Sequence, residues 1–160
     1  MHTQQSLKPN HKHRTRAEFY RDQVQIRIAA SGSGPQISGV LKANGIEFPG
    51  YDWSSVSTSW LIATIKDDVA GCIQVMPVQP VGYVNFLYVK PSLSFKLKAI
   101  ALRKLGLAAI ATMHYAGIHY IAGLVSQENT KLLNVLEKLN FSKMADGAVM
   151  IKYISGETTQ

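Results

Sequence analysis

Residues 81–99 read VGYVNFLYVKPSLSFKLKA, and their reading decides the fold. The first nine are rich in β-branched and aromatic side chains and hold no acid, so they form a strand. Strict alternation puts Val81, Tyr83, Leu87 and Val89 on one face. It puts Val84, Phe86 and Tyr88 on the other. A strand apolar on both faces is central, with helices covering both sides. Pro91 ends it, and Ser92 or Ser94 caps the helix after it. From residue 94 to 115 there is no proline, and Leu97, Ile100, Ala101, Leu105, Ala108 and Ala111 recur near helical spacing. Gly106 costs that helix about 1 kcal/mol, although small residues also permit close packing on a sheet. Gly117 stops it.

Working outward, residues 59–66 (SWLIATIK) and 69–76 (VAGCIQVM) read as a hairpin around Asp67-Asp68. Upstream, residues 23–29 (QVQIRIA) alternate as a half-buried strand. Pro35 then opens a short helix over 36–43, with Ile37, Val40 and Leu41 on one face and Asn44-Gly45 as its stop. Residues 47–57 read as a loop or short helix, and Trp53 and Trp60 anchor this region to the sheet. Downstream, residues 118–125 form a strand and 128–139 an amphipathic helix with Leu132, Leu133, Val135, Leu136 and Leu139 clustered. Residues 141–144 and 148–154 pair around Asp146-Gly147. Strands before and after a long helix, with a hairpin at each end, specify an α/β fold with a mixed, mostly antiparallel sheet flanked by helices.

The chain has 160 residues, 46% of them hydrophobic and 17% charged, which specifies a globular domain rather than a disordered one. Its net charge of +7 is unevenly placed. Residues 1–27 hold Lys8, Lys12, Arg14, Arg16, Arg21 and Arg27 against Glu18 and Asp22. Residues 69–127 hold Lys90, Lys96, Lys98, Arg103 and Lys104 and no acid, while the remainder is slightly acidic. Residues 1–16 form a basic arm, either a solvated terminus or an arm that neutralises DNA phosphates or an acidic protein surface. His11 and His13 lack a third ligand, so no metal site is expected. The single cysteine, Cys72, excludes a disulfide framework and a Cys-rich zinc site, and its apolar neighbours specify an inert buried thiol. The Ser31–Gly34 run lacks the Gly-Lys-Ser/Thr ending of a phosphate loop and reads as a linker. No apolar run is long enough for a membrane span and no h-region opens the chain, so the expected setting is the cytoplasm.

From about Ile26 to Tyr153 the chain resembles the GCN5-related N-acetyltransferase (GNAT) family. Ile26-Arg-Ile-Ala29 resembles the family's first strand. Lys66-Asp-Asp-Val-Ala-Gly71 resembles its second hairpin, and Val89-Lys-Pro91 the close of its fourth strand. Residues 129–141, with Asn129 and Phe141 at fixed positions and Glu137 and Lys138 between them, resemble the helix motif N-x-x-A-x-x-x-Y-x-x-x-G-F. The resemblance implies an acetyl transfer from acetyl-CoA to a primary amine. Backbone at Leu87, Tyr88 and Val89 would meet the pantetheine. The loop Ser94-Phe95-Lys96-Leu97-Lys98-Ala99 would hold the pyrophosphate, and Asn129 would add a contact from the following helix.

Two departures stand out. In the family's Q/R-x-x-G-x-G/A loop only Ala99 fits, and Leu97 replaces the first glycine, where it would crowd a phosphate. Leu136 replaces the tyrosine that protonates the leaving thiolate, and it cannot donate a proton. The acid-free stretch leaves Tyr83, Tyr88, His114 and His119 as titratable substitutes, with Tyr83 and Tyr88 expected on opposite faces. Tyr88 is the candidate catalytic residue. The alternative is a non-catalytic relative used in assembly, similar to the short acyltransferase-like proteins of tailed bacteriophages and located in a virion. Its basic arm would grip an acidic protein or DNA. The expected division is an arm over 1–16, a domain over 17–155 and a polar tail over 156–160.

Overall fold

The computed structural model describes residues 16–56, 59–125, 128–138, 140–143 and 149–153. Seven strands form one sheet in the order β1-β2-β3-β4-β5-β7-β6. They are β1 (Gln25–Ile28), β2 (Trp60–Ile65), β3 (Asp68–Met76), β4 (Val81–Val89), β5 (Tyr120–Leu124), β6 (Ser142–Lys143) and β7 (Val149–Tyr153). The helices are α1 (Arg16–Gln23), α2 (Gly34–Ala43), α3 (Phe95–Tyr115) and α4 (Thr130–Lys138), with a 3-10 turn at Trp53–Ser55. The 81–89 strand is central, as its two apolar faces require. Only its pairing with β5 is parallel, and the other pairings are antiparallel.

Alternation along β2 and β3 sorts the core into two layers. Leu61, Ala63, Ile73 and Val75 pack against Ala101, Leu105, Ala109 and Met113 of α3. Trp60, Ile62 and Cys72 pack against Ile37, Val40 and Leu41 of α2. The buried row of α3 follows strict i, i+4 spacing from Leu97 through Met113, so Ala109 and Met113 belong to it while Ala111 is exposed. Gly106 faces open space and provides no close approach. Gly34 does. A Cβ there would sit 2.7 Å from the carbonyl carbon of Trp53, so only glycine lets the 3-10 turn close on α2.

Three local readings change. The strand expected from residue 23 begins at Gln25, because Gln23 ends α1 and Val24 is buried at 1% exposure. Nothing in the apolar spacing of 16–23 announces α1. It is held from outside, by Lys104 Nζ donating to the carbonyls of Arg21 (2.8 Å) and Val24 (2.7 Å). The β2–β3 turn is Lys66-Asp67 rather than Asp67-Asp68. Both turn residues have positive φ (50° and 66°), as a two-residue hairpin turn demands. The acids beside it are tied down, Asp67 by Arg27 at 2.8 Å and Asp68 by Lys90 at 2.6 Å.

The third correction concerns β4. Cys72 pairs with Tyr88 but Gln74 pairs with Asn85, so one residue on β3 faces two on β4. That is a β-bulge, and its residue Phe86 has φ 54°. The extra residue switches the parity of everything after it. Tyr83, Asn85 and Tyr88 therefore share a face with Met76, Gln74 and Cys72, and Tyr83 and Tyr88 are not on opposite faces. Val84, Leu87 and Val89 all turn to the α3 layer. The basic arm lies outside the described residues except for Arg16, which opens α1, and so do the 146–147 turn and the polar tail.

Candidate functional site

The bulge has a topological consequence. β4 and β5 pair only from Val81–Tyr120 to Val84–Gly123. Past Val84 the central strand continues to Val89 with no partner on its β5 side among the described residues, so the two strands part in the middle of the sheet. A bulky residue in the left-handed region is strained by roughly 1–2 kcal/mol. Packing of the Phe86 ring offsets this, stacked on Trp60 at 5.8 Å and edge-on to Phe48 at 5.3 Å. The aromatic cluster is completed by Tyr51 and Trp53.

Along the open edge, the Lys90 N–H donates to the carbonyl of Ala70 at 2.8 Å. By ladder alternation the N–H and C=O of Val89 then point away from β3. The Val89 carbonyl accepts from Asn44 Nδ2 at 3.1 Å, and Asn44 also donates to Val40 at 2.8 Å. In the sequence Asn44 reads only as a helix stop, and its long-range bond to β4 has no local signal. Leu87 is half-buried in the α3 layer, and Tyr88 is half-buried in the α2 layer.

A short connection leads from β4 to α3. Ser94 is the N-cap, its Oγ accepting from the Leu97 N–H at 3.4 Å and its carbonyl from the Lys98 N–H at 2.9 Å. The N–H groups of Phe95 and Lys96 have no intrahelical acceptor, as at any helix start. Leu97 is half-buried and packs against the core. Phe95 is 85% exposed, and Lys96 Nζ stands 5.8 Å over the ring of Tyr20. Lys98 is half-buried and Ala99 exposed. The connection from β5 leads to α4, where Asn129 Oδ1 accepts from the Leu132 N–H at 3.2 Å. The Asn129 side-chain oxygen thus caps a helix.

The remaining candidates sit elsewhere. His114 and His119 are exposed on either side of the α3–β5 turn. His119 precedes Tyr120, whose partner is Val81, five residues from the bulge and roughly 17 Å along the strand. Cys72 has no exposed surface, and burial pushes its thiol up to about 12. Among the described residues no three His, Cys, Asp or Glu side chains gather as a metal site, and no helix is long and apolar enough to cross a membrane. His11 and His13 lie outside the described residues.

No protein-family model matches the sequence, and no curated protein matches it. Solved structures do. N-acetylglutamate synthase from Neisseria gonorrhoeae, complexed with coenzyme A and L-arginine, aligns with a TM-score of 0.66 at 14% identity over 82% of this chain. This chain spans 33% of that larger protein. Ard1 from Thermoplasma volcanium aligns with a TM-score of 0.69 at 12% identity, covering 83% of this chain and 99% of Ard1. The PaiA N-acetyltransferase from Thermoplasma acidophilum, in complex with coenzyme A, gives a TM-score of 0.64 at 19% identity, with 82% and 99% covered. Identities this low speak to architecture alone. The sheet order, the bulged and parting central strand and these alignments together establish that the chain has the GNAT, or acyl-CoA N-acyltransferase, fold.

Proposed function

We propose that the protein transfers an acetyl group from acetyl-CoA to a primary amine. The observation that carries this reading is the parting of β4 from β5 at the Phe86 bulge, directly before the start of α3. An extended thioester arm would lie in the parting, against the backbone of Leu87, Tyr88 and Val89. Its diphosphate would meet the Phe95 and Lys96 N–H groups, with Ser94, Lys96 and Lys98 around them and Leu97 turned away. Ala99 leaves the helix flank open, and Asn129 offers its amide N–H from the far wall.

In the reaction the amine nitrogen attacks the thioester carbonyl carbon. An N–C bond forms, the C–S bond breaks and the thiolate leaves. The attacking nitrogen gives up a proton, which water or Tyr88 relays to the sulfur. Proximity supplies most of the rate in such a site. On this reading residues 17–155 are the working unit and the cytoplasm is the expected setting.

The test is acetyl-CoA added to the full chain. At one hundred times its dissociation constant it should add about 2.7 kcal/mol of stability and raise the melting temperature. Release of free thiol should follow when an amine panel is added, and Tyr88→Phe should slow it without abolishing binding. No shift at millimolar acetyl-CoA refutes the reading.

A second reading, a non-catalytic assembly protein such as a virion component, is favoured by Leu136 at the proton-donor position and by the acid-free stretch of 69–127. Its arm, residues 1–16, would bind an acidic protein or DNA. Deleting the arm should then abolish that association and leave melting unchanged. Normal association without it removes the mechanism.

A further inference from the structure

Five aromatic rings gather on the α2 side of the bulge. Trp53, Trp60 and Phe86 form the inner part, with Phe86 stacked on Trp60 at 5.8 Å and Trp53 tilted to Trp60 at 6.1 Å. Phe48 and Tyr51 form the rim. They belong to one turn, closed by the Tyr51 N–H donating to the Phe48 carbonyl at 3.2 Å, with Gly50 at φ 76°. The rim rings stand 6.4 Å apart, and Tyr51 lies 4.7 Å from Trp53. The inner three anchor the turn to the sheet, yet Phe48 and Tyr51 stay 39% and 51% exposed. They make an aromatic ledge open to solvent.

The charge around the ledge is opposite to that of the whole chain. Residues 43–65 hold Glu47 and Asp52 and no Lys or Arg, in a chain of net +7. Glu47 has Lys42 at 3.7 Å. Asp52, between Tyr51 and Trp53 in the chain, forms no ion pair among the described residues. Hydrogen bonds from the Ser54 hydroxyl and N–H hold its carboxyl below the usual range, so it is ionised at neutral pH. A carboxylate beside exposed ring faces attracts a cation that carries an apolar body, and it repels an anion.

We infer that this ledge binds an arylalkyl primary amine, its ring against Phe48 and Tyr51 and its ammonium at Asp52. One small ring laid over the rim can reach both rings, since favourable aromatic pairs have centroids roughly 4.5–7 Å apart. The ledge also lies where an acceptor is needed. With the diphosphate at Phe95 and the thioester arm running back past Val89, Tyr88 and Leu87, the acetyl carbon comes to Phe86, the inner edge of the ledge. Tyr88 packs in the same layer. The ammonium loses one proton to water to become the attacking amine, and the rest of the balance is the one given above. That the bound amine is the acetyl acceptor rests on the transfer reading; that the ledge binds it does not.

The experiment titrates 2-phenylethylamine into the full chain and follows tryptophan emission, because both tryptophans of the chain, Trp53 and Trp60, lie in the ledge. A saturable change is expected. 2-Phenylethanol keeps the ring and loses the charge, and ethylamine keeps the charge and loses the ring. Each should bind at least about fivefold more weakly. Asp52→Asn keeps an oxygen to accept from Ser54 and removes the charge. It should weaken 2-phenylethylamine by about threefold or more and leave 2-phenylethanol unchanged. No saturable change overturns the inference, as does ethylamine or 2-phenylethanol binding as tightly as 2-phenylethylamine. With acetyl-CoA present, thiol release should favour 2-phenylethylamine over ethylamine by at least about fivefold in kcat/KM. Equal release overturns the acceptor assignment. If acetyl-CoA raises the melting temperature while 2-phenylethylamine leaves emission unchanged, the ledge is sunk and the transfer reading stays intact. If 2-phenylethylamine binds and acetyl-CoA gives no shift, the ledge stands and the transfer reading falls.

Discussion

Lys104→Met isolates the contact that holds α1. Lys104 Nζ donates to the Arg21 carbonyl at 2.8 Å and to the Val24 carbonyl at 2.7 Å. Methionine keeps the length and packing of the stem and removes both bonds. A hydrogen bond from a charged donor contributes about 1.5–3 kcal/mol. The ammonium is only part-buried, so the pair together is expected near the low end, about 2–3 kcal/mol. An eight-residue polar helix cannot stand alone in water, where about 12–15 residues are needed even for favourable sequences. The loss should therefore fall on α1 and the residues joining it to β1. Amide hydrogen exchange is the assay. Protection over 16–24 should fall roughly 30- to 150-fold, the equivalent of that energy. The amides of Ala101, Leu105 and Ala109 should keep theirs. Unchanged protection in α1 refutes the reasoning, since the helix would then be held by the Tyr20 contacts. Equal loss across α3 refutes it too, because the contact would then be part of global stability.

Leu97→Gly should lower stability by about 2–4 kcal/mol in urea denaturation, since a side chain packed on the core is removed from a helix. It should not tighten binding of acetyl-CoA, because Leu97 already packs against the core. Gly34→Ala should cost about 3 kcal/mol by forcing α2 off the Trp53 backbone, while Gly39→Ala, with open space around it, should be neutral or stabilising. Gly106→Ala should gain about 1 kcal/mol in the same assay, as nothing occupies the space its methyl would fill. Cys72 stays neutral in the folded protein up to about 12, while an ordinary thiol ionises near 9.0. The unfolded state then holds fewer protons above that value, so stability should fall as pH rises between 9.0 and about 12, and a thiol reagent at about pH 8 should react only after denaturant is added.

Much of the fold was legible because its signals are local and repeated. The two-sided apolar run of 81–89 marked the central strand, and the proline-free stretch after Ser94 marked α3 to within a residue. Pro35 and Asn44-Gly45 bracketed α2. The features that escaped depend on contacts far apart in sequence. α1 has no amphipathic face and is held by a lysine eighty residues from Val24. The Asn44 bond to Val89 spans forty-five residues. The bulge was invisible because strict alternation and alternation with one inserted residue fit the same letters VGYVNFLYV. Only the register against β3 separates them. The site suffered most from this, since the faces assigned to Tyr83 and Tyr88 depended on that register. The direction of the Leu97 side chain was not legible for a related reason. A motif position says which residue stands in a loop but not which way its side chain leaves the helix.

Core packing also explains how the start of α3 can stay open without a glycine in residues 94–99. A glycine-rich turn is one way to bring backbone N–H groups near a phosphate. It matters only if a side chain would otherwise stand in the path. Here the i, i+4 row through Ala101, Leu105, Ala109 and Met113 begins at Leu97, so the rotation of α3 on the sheet already turns that side chain inward. The rotation is fixed by the core, not by the loop. The parting of the strands is likewise fixed by Phe86, whose ring is locked between Trp60 and Phe48 on the opposite layer. Both features of the site are therefore set by packing on the two faces of one strand. The opening therefore does not depend on a glycine in residues 94–99, and Lys96, Lys98, Arg103 and Lys104 set positive charge along the first half of α3.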